Sequence, residues 1–133
     1  MGIPEPGDAL PPVTFGPITR TDFVRYAGAS NDFNPMHHDD TVARSRGEPS
    51  VFGHGMLSMG LAVSYLLSWQ PDSFVNSIGV RFRDRLWPGD EPVATGTIRA
   101  VGRKPEATVV EVDLQLEHGE RVLLTGWATV TLR

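Results

Sequence analysis

Two patterns in the 133-residue chain predict an α+β fold in which one antiparallel sheet wraps around a single central helix. Residues 55–69 are apolar nearly all round and long enough for about four helical turns, which marks a helix buried on most faces. Beyond them the hydrophobic period drops to two: Ile78, Val80 and Phe82 alternate with Gly79, Arg81 and Arg83, and Val110, Val112, Leu114 and Leu116 alternate with Glu111, Asp113, Gln115 and Glu117. Alternation of that kind belongs to strands with one buried face. A 14.5 kDa chain with 40% hydrophobic and 21% charged residues is built to bury one core, which excludes fibrous and disordered readings. No repeat or linker divides it, so residues 1–133 read as one domain with 1–12 as an N-terminal arm.

The elements follow in order. The arm carries Glu5, Asp8 and several prolines, and lacks the basic start and apolar run of a signal peptide. Val13 to Ile18 is a short strand. Thr19 to Asp22 has the form of a capping box and opens a helix reaching about Ala27, with Gly28 ending it. Turn formers and Pro35 make 29–38 an irregular loop. Asp39 or Asp40 caps a short helix through Arg46, after which Gly47, Pro49 and Gly53 keep the chain irregular up to His54-Gly55, in a second loop facing the first. After helix 55–69 come strands at 78–83, 91–101 (the weakest), 110–117 and 121–131. In the last, Val122, Leu124, Ala128 and Val130 face one way and Arg121, Thr125, Thr129 and Thr131 the other. His118-Gly119-Glu120 is the hairpin turn between the last two.

Composition narrows the function. A net charge of -4 with no basic block argues against a nucleic-acid partner. The absence of cysteine removes disulfides, a thiolate nucleophile and Cys-ligated metals, and suits a reducing compartment, so a cytoplasmic location is expected. The uncharged stretch Pro49 to Pro71 contains His54, glycines and serines, and its dense apolar part, Met56 to Trp69, is too short to cross a bilayer, so no membrane partner is expected.

Polar chemistry is concentrated where His37, His38 and His54 come close in sequence to Asp32, Asp39 and Asp40. An Asp and a His on one rigid loop provide a group that takes a proton and one that returns it, and Asp32 and His37, braced by Asn34-Pro35, are the candidate pair. A helix starting at Gly55 offers free N–H groups and the positive end of its dipole to a carbonyl oxygen that gains negative charge. Adjacent His38 and Asp39 point apart and no His-x-x-x-His spacing is present, so no metal is expected; Asp39 reads as a helix cap and His118 as a solvated turn residue.

Tyr26-Ala27-Gly28-Ala29-Ser30-Asn31-Asp32-Phe33-Asn34-Pro35-Met36-His37-His38-Asp39, followed by Phe52-Gly53-His54-Gly55-Met56-Leu57, resembles the signature of the MaoC-like dehydratases, the (R)-specific enoyl-CoA hydratases. It is also similar to the hydroxyacyl-ACP dehydratase subunits of fatty-acid synthesis. The resemblance implies a hot-dog fold and a cofactor-free lyase that reversibly hydrates trans-2-enoyl thioesters of CoA or acyl carrier protein to (R)-3-hydroxyacyl thioesters. Carried over by position, Asp32 and His37 form the catalytic pair, Gly55 N–H receives the thioester oxygen, and Ser30 and Asn34 orient the loop. His54 is either a supporting hydrogen-bonder or a substrate contact. The family more often has glycine at the position of Asn31; Asn tolerates positive φ, so the loop is expected to keep its shape. A homodimer with sheets joined edge to edge and the site at the interface is implied as well. The alternatives are a thioesterase on the same fold, or a non-catalytic partner subunit of a heterodimeric dehydratase. Arg81, Arg83 and Arg85 could meet carrier phosphates, but pairing across strands with the acidic face of 111–117 is the preferred reading.

Overall fold

The computed structural model describes residues 2–133, and Met1 of the arm lies outside them. Five strands form one antiparallel sheet: β1 (Val13–Thr14), β2 (Phe74–Phe82), β3 (Val93–Arg103), β4 (Thr108–His118) and β5 (Arg121–Leu132), in the spatial order β1-β3-β4-β5-β2. Three helices, α1 (Arg20–Ser30), α2 (Asp40–Ser45) and α3 (Gly55–Trp69), precede the four long strands. The predicted bounds of α3 are the observed ones, and the sheet curls over its Ala62, Tyr65 and Leu66 face to give the hot-dog arrangement.

The core follows from the alternation. Val110, Val112, Leu114 and Leu116 of β4 point inward with Ala128 and Val130 of β5, and they meet Tyr65, Leu66, Phe23 and Ile98 in one cluster. Each of the valine, leucine, isoleucine and phenylalanine side chains contributes about 1.5–3 kcal/mol on burial. The inward face of β5 is interrupted once. Leu116 opposes Leu124 while Glu117 opposes Val122, so Leu123 is an extra residue on β5 and both Leu123 and Leu124 are buried. This bulge breaks the strict alternation expected of Val122 and Leu124.

The two edges of the sheet differ. At one edge the arm continues the line of β1 along β3: Gly7 and Leu10 donate to the Ile98 and Gly96 carbonyls, Ala9 bridges Thr97, and Leu10 is buried. The arm is therefore docked on β3 through residues 7–10. β2 leaves its outer edge open, with Phe74 and Phe82 about half exposed.

Further expectations are corrected. The strand at Val13–Ile18 is only Val13–Thr14, because Gly16 turns at φ 95° and Ile18 is buried with its amide on the Asp90 carbonyl. The Thr19/Asp22 capping box forms, but α1 runs through Gly28 to Ser30 and ends where Asn31 adopts φ 61°, ψ 23°. Gly28 stays helical, so the left-handed terminator is Asn31. Finally, α3 is not buried on most faces, for Met56, Gly60, Ser64 and Leu67 are exposed. No helix among the described residues is long and apolar enough to cross a membrane.

The Asn31 geometry gives the first prediction. Asn31→Gly should keep the stability of the parent in urea unfolding. Asn31→Val should lose about 1–2 kcal/mol, because a β-branched residue resists the left-handed region.

Candidate active site

The end of α1 positions the first loop. Ser30 Oγ donates to the Tyr26 carbonyl at 2.7 Å and accepts from the Asp32 amide at 3.3 Å, so the helix terminus and the loop share one hydroxyl. Asn31 then reverses the chain. Asp32 Oδ1 accepts from the Asn34 amide at 3.2 Å, and Asn34 Oδ1 accepts from Met36 N at 3.1 Å, capping a 3-10 turn over Pro35–His37. Two successive side-chain turns thus carry the chain from Asp32 to His37 with little freedom left.

The second loop closes on the first. Gly53 N donates to the Leu86 carbonyl and Phe52 N to the Met36 carbonyl, which places the Phe52 carbonyl 2.7 Å from His37 Nδ1. A carbonyl only accepts, so Nδ1 carries the hydrogen and Nε2 is the free base. Nε2 lies 4.0 Å from Asp32 Oδ2, beyond direct hydrogen-bond range. Burial holds the His37 imidazole below its ordinary pKa of 6.5; the Phe52 carbonyl and the Asp32 carboxylate pull against that, while the neighbouring His54 ring adds to it.

His54 ties both loops together. Its Nε2–H donates to the Asp32 carbonyl at 3.0 Å, its ring stacks on His37 at 3.8 Å, and Tyr26 lies 4.8 Å away on α1. It is almost fully buried, and its Nδ1 has no partner among the described residues. That geometry seats His54 between the two loops, against the His37 ring.

Gly55 opens α3. His54 is its N-cap residue without a side-chain cap bond, and the first amides of any α-helix lack intrahelical acceptors. No side chain stands on Gly55 itself, and a Cβ there would sit 3.3 Å from the Phe82 ring. A cavity of about 240 Å³ lies against Gly55, lined also by Phe52, Ser58, Phe82, Arg83 and Arg85. A larger apolar groove of about 570 Å³ lies along Phe15, Ile18, Tyr26, Leu57 and Leu61. Asp32 and His37 line neither, and the Asp32 side chain is 52% exposed. The described chain leaves the pair open on one side.

Ligand atoms of Asp32, His37 and His54 lie within 4.8 Å of one another, a spacing that metal ligands share. The two imidazoles are stacked at 29°, which sends their in-plane lone pairs along nearly parallel planes. Zinc ligands must converge on one point at about 2.0–2.1 Å. The arrangement fits hydrogen-bonded acid/base groups and does not fit a metal.

The remaining predicted residues fall elsewhere. Asp39 caps α2 through Thr41 N and Val42 N, as expected. His38 is exposed and bonds the Phe33 carbonyl. His118 is not simply solvated: its Nδ1 accepts from Glu91 N at 3.0 Å and its Nε2 faces Asp90 at 3.6 Å. Arg81, Arg83 and Arg85 do not pair with 111–117, because β2 lies beside β5 and not β4; Arg99 makes those contacts, to Glu111 and Asp113. Sequence reasoning missed two contributors. The Phe52 carbonyl leaves no side-chain signal, and the packing of Tyr26 against His54 joins residues 28 positions apart that no local pattern links.

A protein-family model described as the MaoC like domain matches residues 5–120. The chain is 29% identical over 115 residues to the mitochondrial 3-hydroxyacyl-[acyl-carrier-protein] dehydratase of Arabidopsis thaliana, covering 84% of this chain and 68% of that protein. It is 29% identical over 116 residues to the (R)-specific enoyl-CoA hydratase of Rhodospirillum rubrum, covering 85% and 78%. Among solved structures, the (R)-hydratase from A. caviae involved in PHA biosynthesis superposes with a TM-score of 0.86 at 23% identity, over 97% of both chains, which places the fold.

His37 should titrate with a midpoint below 6.5 by NMR, and Asp32→Asn should move it lower still, because a charge that favours imidazolium is removed. The unfolded chain then binds the proton more readily than the folded one. The His37 contribution to stability is present in full above pH 6.5 and is lost as pH falls through 6.5 toward the folded value.

Proposed function

The chain belongs to the MaoC-like domain family, and from that membership and the loop geometry we propose that it adds water reversibly across the double bond of trans-2-enoyl thioesters, giving (R)-3-hydroxyacyl thioesters. The observation that carries the reading is the pair itself: a neutral imidazole whose Nδ1–H is held by the Phe52 carbonyl and whose Nε2 faces a carboxylate at 4.0 Å. One water can reach both groups with hydrogen bonds of about 2.8 Å each.

The steps balance within that constellation. His37 Nε2 takes a proton from the water while its oxygen bonds to C3, and Asp32 holds the water and steadies the imidazolium that forms. The electron pair of the double bond moves toward the thioester oxygen, where Gly55 N–H and the α3 dipole meet the developing charge. The proton held by the pair then goes to C2 as the enolate collapses. Ser30 and Asn34 orient the loop, and His54 supports it from behind. Dehydration is the same path reversed, and no cofactor enters either direction.

Pairing of two copies is part of the proposal. The open β2 edge, its exposed Phe74 and Phe82, and the Met56 and Leu67 face of α3 are surfaces that a second protomer would cover. It would also close the side on which Asp32 is exposed. Both members of the pair stand on this chain, which favours a homodimer over a catalytic and non-catalytic couple. Light scattering should give twice the 14.5 kDa chain mass.

Crotonyl-CoA tests the chemistry. The parent should remove the conjugated absorbance without releasing thiol, and Asp32→Asn and His37→Ala should each fall by about 10²–10⁴-fold while keeping the circular dichroism of the parent. Release of free thiol would make the protein a thioesterase, and full activity in both variants would remove the pair. The acid limb of kcat/KM should lie below pH 6.5, in line with the lowered His37 pKa.

A further inference from the structure

We propose that Arg81 and Arg83 form a phosphate site for the phosphopantetheine arm that carries the acyl group. The inference rests on the enoyl-thioester reading of the site. Between its thioester and its phosphate a phosphopantetheine arm carries no charge, so a chain anchored at Gly55 presents a phosphate as its first charged group.

The cavity against Gly55 leads to that place. Its lining runs from Gly55 and Ser58 past Phe82 to Arg83 and Arg85. Arg83 also lines an adjoining polar cleft of about 380 Å³ on the outer face of the sheet, with Arg81, Arg99, Asp113 and Trp127. One arginine therefore links the cavity at the helix start to a cationic cleft outside.

The charges in this region are unequally compensated. Arg85 is paired with Glu48 at 2.7 Å and lies over the Phe52 ring at 5.0 Å. Arg99 is held by Glu111 and Asp113, which also accounts for the one carboxylate lining the cleft. Asp84, which lines the cavity, is turned to Arg121 at 3.6 Å and accepts from Arg85 N. Arg83 gives only its Nε, to the neutral Thr125 hydroxyl at 3.3 Å, and Arg81 has no partner among the described residues. Arg81 stands opposite Thr125 in the ladder, where the short side chain leaves its guanidinium uncovered. Two exposed guanidinium groups without counter-ions, two residues apart on one strand end, gather positive charge in a chain whose net charge is -4. Their fork of donors matches phosphate oxygens.

The test uses butyryl-CoA, a saturated analogue that cannot be hydrated, beside S-butyryl-N-acetylcysteamine, which ends before the phosphate, and a butyryl carrier protein. Calorimetric affinities are measured for the full chain and for the Arg81→Gln/Arg83→Gln double variant. The preference of the parent for butyryl-CoA over the truncated thioester should fall about tenfold or more in the double variant and shrink with added salt. Arg103→Gln, away from the cleft, should keep that preference. Loss with butyryl-CoA and carrier protein alike assigns the shared phosphate; loss with only one assigns the arginines to that carrier. An unchanged preference, or an equal loss with the truncated thioester, overturns the site. Because butyryl-CoA binding needs no turnover, arginine-dependent binding in a chain that hydrates nothing would sink the hydratase reading and leave the phosphate site standing. Absence of butyryl-CoA and carrier-protein binding in the parent would sink the site as well.

Discussion

Two backbone carbonyls, one from each loop, hold the site together. Phe52 O takes the Nδ1 hydrogen of His37, and Asp32 O takes the Nε2 hydrogen of His54, while the two rings stack between them at 3.8 Å. Each loop therefore supplies the acceptor for the other loop's histidine, so neither can shift without breaking a buried hydrogen bond. Such a bond is worth about 0.5–1.5 kcal/mol net, but leaving a buried partner unsatisfied costs more. The crossed pair also settles both tautomers, which is what leaves His37 Nε2 free to face Asp32.

The rest of the fold serves that crossing. α1 ends at Asn31 and delivers Asp32; Asp40 holds the second loop at Val51 N and pairs with Arg20 of α1. The Arg20 guanidinium and the Val51 amide both keep the Asp40 carboxyl below its usual pKa. From the far side, the Leu86 carbonyl accepts from Gly53, and the 84–90 segment is itself tied to the hairpin by Arg121, which bonds Asp90 at 2.6 Å and the Arg85 carbonyl at 3.0 Å. The second loop ends where α3 begins, so the same restraint that fixes His54 places the Gly55 amide.

Much of this was legible in the residues. The 15 residues of α3 and the inward face of β4 follow directly from period and apolarity, and the turn formers of 29–38 mark the irregular loop that brings Asp32 within 4.0 Å of His37. The misses have physical reasons. Gly28 and Asn31 both can end a helix, and only the tertiary course of the loop selects Asn31. The bulge at Leu123 inserts one residue that no local pattern announces. Strand order is a long-range property, so the neighbour of β2 was open, and with it the partners of Arg81, Arg83 and Arg85. The orienting acceptor of His37 is a main-chain oxygen, which no side-chain motif can encode.

The central claim is that the thioester oxygen sits at the start of α3 while the reacting carbons face the pair. A crystal structure of the Asp32→Asn variant soaked with crotonyl-CoA tests it most directly. The account predicts the thioester oxygen about 2.7–3.1 Å from Gly55 N, with C3 turned toward His37 Nε2. A thioester lying in the groove along Leu57 and Leu61, away from that amide, would contradict it.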